Sequence, residues 1–256
     1  MCYSAKSILR RELILALRNK ASAEEIDDII EELKKAEPEN ENYFIQAQTH
    51  PFLVVQTNEP GSNPQYLSWG LIPSDCRDEK SAEEIRRMTI NARCETIFEK
   101  KSFRESAIHR RCIIAIDGFY EYMHQGKNKY PFFVQLKTGP MVLAGLWSEW
   151  VNPETGEILK TVTIVTTNAN SLLQVIHNTK KRMPVILNEE GQKIWLENST
   201  DYSQLFIPFD SNEFEVHSVK PLLGKNGTGN TPEASVEFEY PELVFVYSEI
   251  NEIQGK

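Results

Sequence analysis

The sequence predicts an α+β fold, mainly an antiparallel β-sheet or open barrel with flanking helices, on three observations. From Tyr43 to Ala169 the chain is dense in short runs of aromatic and β-branched residues. Turn signals separate these runs, with no long helices between them for parallel crossovers, which favours antiparallel pairing. Amphipathic helical patterns collect on either side.

Taken in order, residues 7–42 read as an insert-like α-hairpin. Its first stretch, "SILRRELILALRN", is too short and too interrupted by Arg10, Arg11 and Glu12 to be a signal peptide or membrane span, so no membrane is expected as a partner. In its second, "SAEEIDDIIEELKKA", Ser22 and Glu25 form a capping box, and Ile26, Ile29, Ile30 and Leu33 share one face. Lys34 and Lys35 suit the last turn, and Pro38 lies beyond it. Strands follow at "YFIQAQ", "PFLVVQT", "QYLSWGLI", "RCIIAIDGFYEY", "PFFVQLK", "MVLAGLWSEW" and "LKTVTIVTTNA", with turn chemistry at residues 137–140 and 152–157. Helices are predicted over Asn170 to Ile176 and over Glu189 to Leu196 behind an Asn188 cap, and residues 224–235 read as a flexible loop. No internal repeat or linker divides the chain, so residues 1–256 are expected to form a single domain, working as a monomer.

The 256 residues carry a net charge of -9, unevenly distributed. Residues 185–256 hold 4 basic and 13 acidic side chains and so form an acidic C-terminal region, while residues 80–111 hold 9 basic against 5 acidic. A local face built from Arg86, Arg87, Arg93, Lys100, Lys101, Arg104, Arg110 and Arg111 is thus compatible with phosphate although the whole chain is acidic, and a solvated surface is its plainer use. Cysteines 2, 76, 94 and 112 show no C-x-x-C pairing and no histidine at zinc-finger spacing. Reduced thiols in the cytoplasm, with no metal and no cofactor, are the expectation.

Cys2 stands directly behind the initiator methionine. Removal of Met1 makes it a 1,2-aminothiol, whose amine (pKa about 8) and thiol (about 8.5) are each appreciably reactive near neutral pH. Such a group attacks an aldehyde twice, first as a Schiff base and then by closing a five-membered thiazolidine. Three further stretches place polar groups where a core has no use for them. "INARCET" sets Asn91 and Arg93 beside Ile90, "AIDGFYEY" sets Glu121 between two tyrosines, and "LLQVIHNTKKRMPVIL" ends an apolar helix on His177. A carboxyl among aromatics has its pKa raised by desolvation, which suits an acid or base. Each also has a structural use: Asn91 to cap a turn, Glu121 to pair with a surface lysine, His177 to end a helix.

"MC", "WGLIP" at 69–73, "NARCET" at 91–96, "RCIIAIDGFYEY" at 111–122, "AGLW" at 144–147, "TIVTTNAN" at 163–170 and "IH" followed by "RMPVIL" resemble, in order, the blocks of the SRAP family. These SOS response-associated peptidases are also described as abasic-site-processing proteins. The resemblance implies a thiazolidine crosslink between the N-terminal cysteine and the ring-opened sugar of an abasic site in single-stranded DNA, with autoproteolytic exposure of that cysteine. It implies Cys2 as nucleophile, Glu121 as acid/base group, His177 as proton-transfer partner and Asn91 as orienter. The DNA grip falls to Arg93, Lys101, Trp69 and Arg182. Replication partners are not implied.

The chain departs from the family in three places. Tyr3 and Ser4 stand where members usually continue "GR", which leaves Lys6 as the nearest substitute cation. Ser74, Asp75 and Cys76 follow "WGLIP" where a tryptophan is common, and four residues separate His177 from Arg182 where the family tends to have one. Two other readings of the residues stand beside the crosslinker: a cysteine peptidase acting on proteins through Cys2 and His177, and a non-catalytic single-stranded nucleic-acid-binding domain.

Overall fold

A computed structural model describes residues 3–36, 41–197 and 201–255. Strand β1 (Ser4–Ile8) leads into helices α1 (Arg11–Leu17) and α2 (Ala23–Ala36), and β2 (Glu41–Gln46) returns antiparallel to β1. The helical hairpin therefore connects two paired strands. Its ends differ from the sequence reading because Ser7 and Ile8 pair with Asn42 and Glu41 in the sheet. The capping box forms: Ser22 N–H donates to Glu25 Oε2 at 2.7 Å and Glu25 N–H to Ser22 Oγ at 3.2 Å. Ile26, Ile29 and Leu33 pack with Leu13, Ile14 and Leu17 against Val54, Ile113 and Ala115, so the hairpin is integral to the core.

β3 (Phe52–Thr57) and β4 (Gln65–Trp69) pair antiparallel. The basic stretch that follows contains α3 (Glu79–Met88), β5 (Asn91–Arg93) and α4 (Lys101–His109). Next come β6 (Arg111–Ile116), β7 (Gly118–Gln125), β8 (Asn128–Leu136), β9 (Met141–Val151) and β10 (Ile158–Asn168). The predicted strand over 111–122 is two strands that separate at Asp117. That carboxylate leaves the ladder to accept from Ile8 N–H at 2.7 Å and from the Arg10 guanidinium at 2.6 and 2.9 Å. The chain ends with α5 (Ser171–Ile176), β11 (Arg182–Pro184), α6 (Glu189–Leu196), β12 (Phe214–Ser218) and α7 (Val244–Ile253).

Five strands form an antiparallel sheet in the order β12-β8-β7-β1-β2. A second sheet runs β10-β4-β3-β6-β9, and β9 pairs back onto β10 to close a ring. The barrel is thus closed rather than open, and β10 pairs parallel with β4 and with β5 because those contacts bridge distant segments. Strand alternation sorts the core. Cys112, Ile114 and Ile116 of β6 face inward with Leu53, Val55, Leu143 and Phe119. Ile113 and Ala115 face outward under α1, α2 and α6. Arg111, from the predicted phosphate face, is fully buried instead. Its guanidinium donates to the end carbonyls of α4 (Ala107, Ile108) and α6 (Trp195, and Glu197 beyond it) at 2.7–2.9 Å.

Candidate active site

β7 runs between β8 and β1, and Phe119 and Met123 on one of its faces enter the core between the sheets. Glu121 lies between them in register on that face, so a carboxyl occupies the place of a core side chain. It is 7% exposed. Its Oε1 accepts from Tyr122 N–H at 3.3 Å. Burial pushes the carboxyl up to about 7, against the opposing pull of that N–H and of the Lys180 charge.

α5 brings the second group. Asn170 caps it, its side chain accepting from Leu173 N–H at 2.8 Å, and Leu172, Leu173 and Ile176 bury the helix on the same inter-sheet core. His177 ends it, with Nδ1 3.4 Å from Glu121 Oε2. Nδ1–H donates to the Arg182 carbonyl at 2.9 Å; a carbonyl only accepts, which assigns the proton to Nδ1 and leaves Nε2 as the acceptor nitrogen. Burial pulls the imidazole down to about 4; the Arg182 carbonyl resists this and the Lys180 charge reinforces it. At neutral pH the site therefore combines a neutral imidazole with a carboxyl near its midpoint, the composition of an acid/base pair.

The remaining predicted residues divide. Asn91 and Arg93 lie on β5, half-buried and exposed respectively, in register with Ile164 and Thr166 of β10. β10 continues from there to pair Asn168 with Arg182, whose carbonyl holds His177, so the "NAR" block and the Glu121–His177 pair belong to one hydrogen-bonded corner. Lys101 opens α4, well exposed and 3.4 Å from Asp75. Cys2 lies outside the described residues. The strand that follows it is described: Ser4 stands opposite Tyr120 in the β1–β7 register, and the Glu121 charge adds to burial in raising the Tyr3 phenol. The N-terminal segment thus enters the fold beside Glu121.

Trp69 and Arg182, expected in the DNA grip, and Lys6, the nearest substitute cation, all have partners within the fold. Trp69 is fully buried, its indole N–H donating to Ile90 O at 2.9 Å, because β4 turns that side chain into the inter-sheet core; it offers no face for a base. Arg182 is buried and its charge is already matched. Glu95 takes both guanidinium ends, and Asn168 Oδ1 and Thr166 O accept at 3.1 and 2.6 Å. Lys6 is turned away, donating to Ser235 Oγ at 2.9 Å over the rings of Tyr43 and Phe133. Sequence reasoning missed Glu95, although it sits within "NARCET", and Asn178, whose side-chain oxygen accepts from His124 N–H at 3.1 Å. Both act on partners far along the chain.

A sequence model described as SOS response associated peptidase (SRAP) matches residues 12–226. Among curated relatives, the abasic site processing protein YoqW of Bacillus subtilis is 38% identical over 219 residues, covering 82% of this chain and 94% of that one. The abasic site processing protein HMCES of Pongo abelii is 32% identical over 200 residues, 65% of this chain and 54% of that longer one. A crystal structure of a protein from Bacteroides thetaiotaomicron superposes with a TM-score of 0.79 at 33% identity, over 93% of this chain and all of that one. A second, from Bordetella bronchiseptica, shares the fold at a TM-score of 0.68 and 24% identity. The matched span and the relatives agree, and the chain belongs to the SOS response associated peptidase family.

Proposed function

We propose that this protein is an abasic-site sensor that traps the ring-opened sugar of an abasic site in single-stranded DNA as a thiazolidine on Cys2. The reading is supported by the names of its relatives, and one observation carries it to these residues: the buried Glu121–His177 pair lies where the N-terminal strand begins. Connectivity alone keeps the Cα atom of Cys2 about 3.8 Å from that of Tyr3. Hydrolysis of the Met1–Cys2 bond frees the α-amine.

Protonated Glu121 first assists opening of the sugar to its aldehyde. The Cys2 amine adds to the aldehyde carbon, and the carbinolamine hydroxyl leaves as water with a proton from Glu121, giving the protonated imine. The thiol then adds to the imine carbon as its proton passes through His177 Nε2 to the Glu121 carboxylate, which restores the acid, and the thiazolidine closes with its ring N–H and the loss of one water overall. Asn91 orients the sugar, and Arg93 and Lys101 supply sequence-independent affinity for the backbone. The protein acts as a monomer of one domain in the cytoplasm.

The test mixes purified protein, its mass confirming loss of Met1, with a single-stranded oligonucleotide carrying one abasic site. A band stable to heat and detergent is expected with wild type and the abasic strand, and with neither Cys2→Ala nor an undamaged strand. No such band from correctly processed protein overturns the reading and favours a peptidase acting on other proteins.

A further inference from the structure

The loop from His177 to Arg182 is fastened at both ends and at Asn178. Lys181 N–H donates to His177 O and Lys181 O accepts from Ala169 N–H, both at 2.9 Å, while His177 Nδ1 is held by Arg182 O. Asn178 anchors the outer side: its Oδ1 accepts from His124 N–H at 3.1 Å, and its Nδ2 donates to His124 O at 2.7 Å. A side-chain amide offers one donor and one acceptor as a peptide does, so Asn178 extends the edge of β7 in place of a strand. On that edge β1 pairs with residues 118–120 and Asn178 with residue 124, and the interval between them begins at Glu121.

This loop carries Lys180, which is exposed. Its charge reaches both groups of the pair, lowering the Glu121 carboxyl and the His177 imidazole alike. Among the described residues no carboxylate pairs with it, whereas Arg182 at the end of the loop is committed to Glu95. Lys181 holds a left-handed φ of 50° without being glycine, a conformation that the bonds on either side of it maintain. Every internal deoxyribose in DNA is flanked by two phosphodiesters, so a sugar whose aldehyde reaches Glu121 and His177 brings an anion to the same mouth.

We propose that Lys180 is a phosphate-binding residue of this site, gripping a phosphodiester beside the abasic sugar and so holding the aldehyde at the Glu121–His177 pair. The assignment rests on the abasic-site reading above.

The experiment measures crosslinking rate against concentration of the abasic oligonucleotide for wild type, Lys180→Ala and Lys180→Arg. In parallel it measures non-covalent binding of an undamaged single strand at several salt concentrations. For Lys180→Ala the half-saturating concentration should rise about ten-fold, as loss of one charge-assisted contact implies. The slope of log affinity on log salt should fall by about 0.7. Lys180→Arg should restore both. A second arm compares 2-deoxyribose 5-phosphate with 2-deoxyribose by mass of the Cys2 adduct, where the variant should discriminate less between the two than wild type does. Equal loss on both sugars with an unchanged salt slope overturns the phosphate role and leaves Lys180 acting only on the pair. If wild type forms no adduct at all, the abasic reading fails, while the salt slope still decides whether Lys180 grips phosphate.

Discussion

Replacing Glu121 with glutamine removes a titrating carboxyl from the core between the sheets while keeping its length and its acceptor oxygen for Tyr122 N–H. Burial raises the native carboxyl from an ordinary 4.5 to about 7. Between those values the native state binds more protons than the unfolded chain, so this group's contribution is full below pH about 4.5 and is lost as pH rises through about 7. The size follows from the displacement, roughly 3 kcal/mol at 1.36 kcal/mol per pH unit. His177 acts in the opposite sense. Its imidazole is lowered to about 4, so its contribution is full above pH about 6.5 and is lost as pH falls through about 4. The two slopes oppose each other from about pH 4.5 to 6.5, which flattens the wild-type profile and hides the carboxyl until one partner is replaced. The difference in unfolding free energy between Glu121→Gln and wild type should therefore grow with pH, by roughly 3 kcal/mol from pH 4.5 to pH 8, or about 6 to 12 °C in Tm for a chain of this size. Urea denaturation at half-unit pH steps reads it directly. Crosslinking by the same variant should be slower by about 10²- to 10⁴-fold, the usual worth of a positioned acid or base. A stability difference that is level between pH 5 and pH 8 would refute the claim that burial of this carboxyl governs its titration.

Two predictions concern the scaffold. Arg111→Leu removes the guanidinium's donors from the buried end carbonyls of α4 and α6, Glu197 O keeping the Tyr202 hydroxyl, and should lower stability by about 3–5 kcal/mol in urea denaturation; a loss under about 1 kcal/mol would show that water replaces the guanidinium. At Gly118 an added Cβ would stand 2.6 Å from both Phe133 Cζ and Val134 O, and the backbone carbonyl has no room to yield. Gly118→Ala should cost about 1–3 kcal/mol and, by pushing β7 from β8, slow crosslinking as well; unchanged crosslinking would show that Glu121 is held independently of that strand pair.

What the sequence disclosed was what local chemistry decides. The Ser22–Glu25 box and the Asn188 cap are bonds between residues three apart, and they were legible as patterns. β1 escaped because "SAKSI" buries Ser4 and Ser7, which carry no apolar signature. α3 escaped because it buries only Ala82, and its start depends on Asp78 accepting from Ser81 N–H. β5, β11 and β12 are short strands that exist through partners far along the chain. In the site, Glu121 was legible because an acid among aromatics is anomalous wherever it folds. The burial of Trp69 and of Arg182 was illegible for one reason: exposure is a tertiary property. Nothing beside Trp69 announces that Ile90 O will satisfy its indole, and nothing beside Arg182 announces a carboxylate 87 residues away.

The protonation state of the pair follows from which force wins at 3.4 Å. In water, a carboxylate and an imidazolium this close would hold each other charged. Here both sit in the core between the sheets, and desolvation, the leading cause of both displacements, acts against charge on either. Between pH about 4 and about 7 the favoured state is neutral carboxyl beside neutral imidazole. The distinction matters for the proposed chemistry, because the two states assign opposite roles. An ion pair would make Glu121 the base and His177 the acid. The neutral pair makes Glu121 the acid that expels water from the carbinolamine and His177 Nε2 the base that takes the thiol proton. One environment thus supplies both partners at one pH, and it requires the Nδ1–H that the Arg182 carbonyl fixes; the Glu95–Arg182 clamp holds the strand bearing that carbonyl in place.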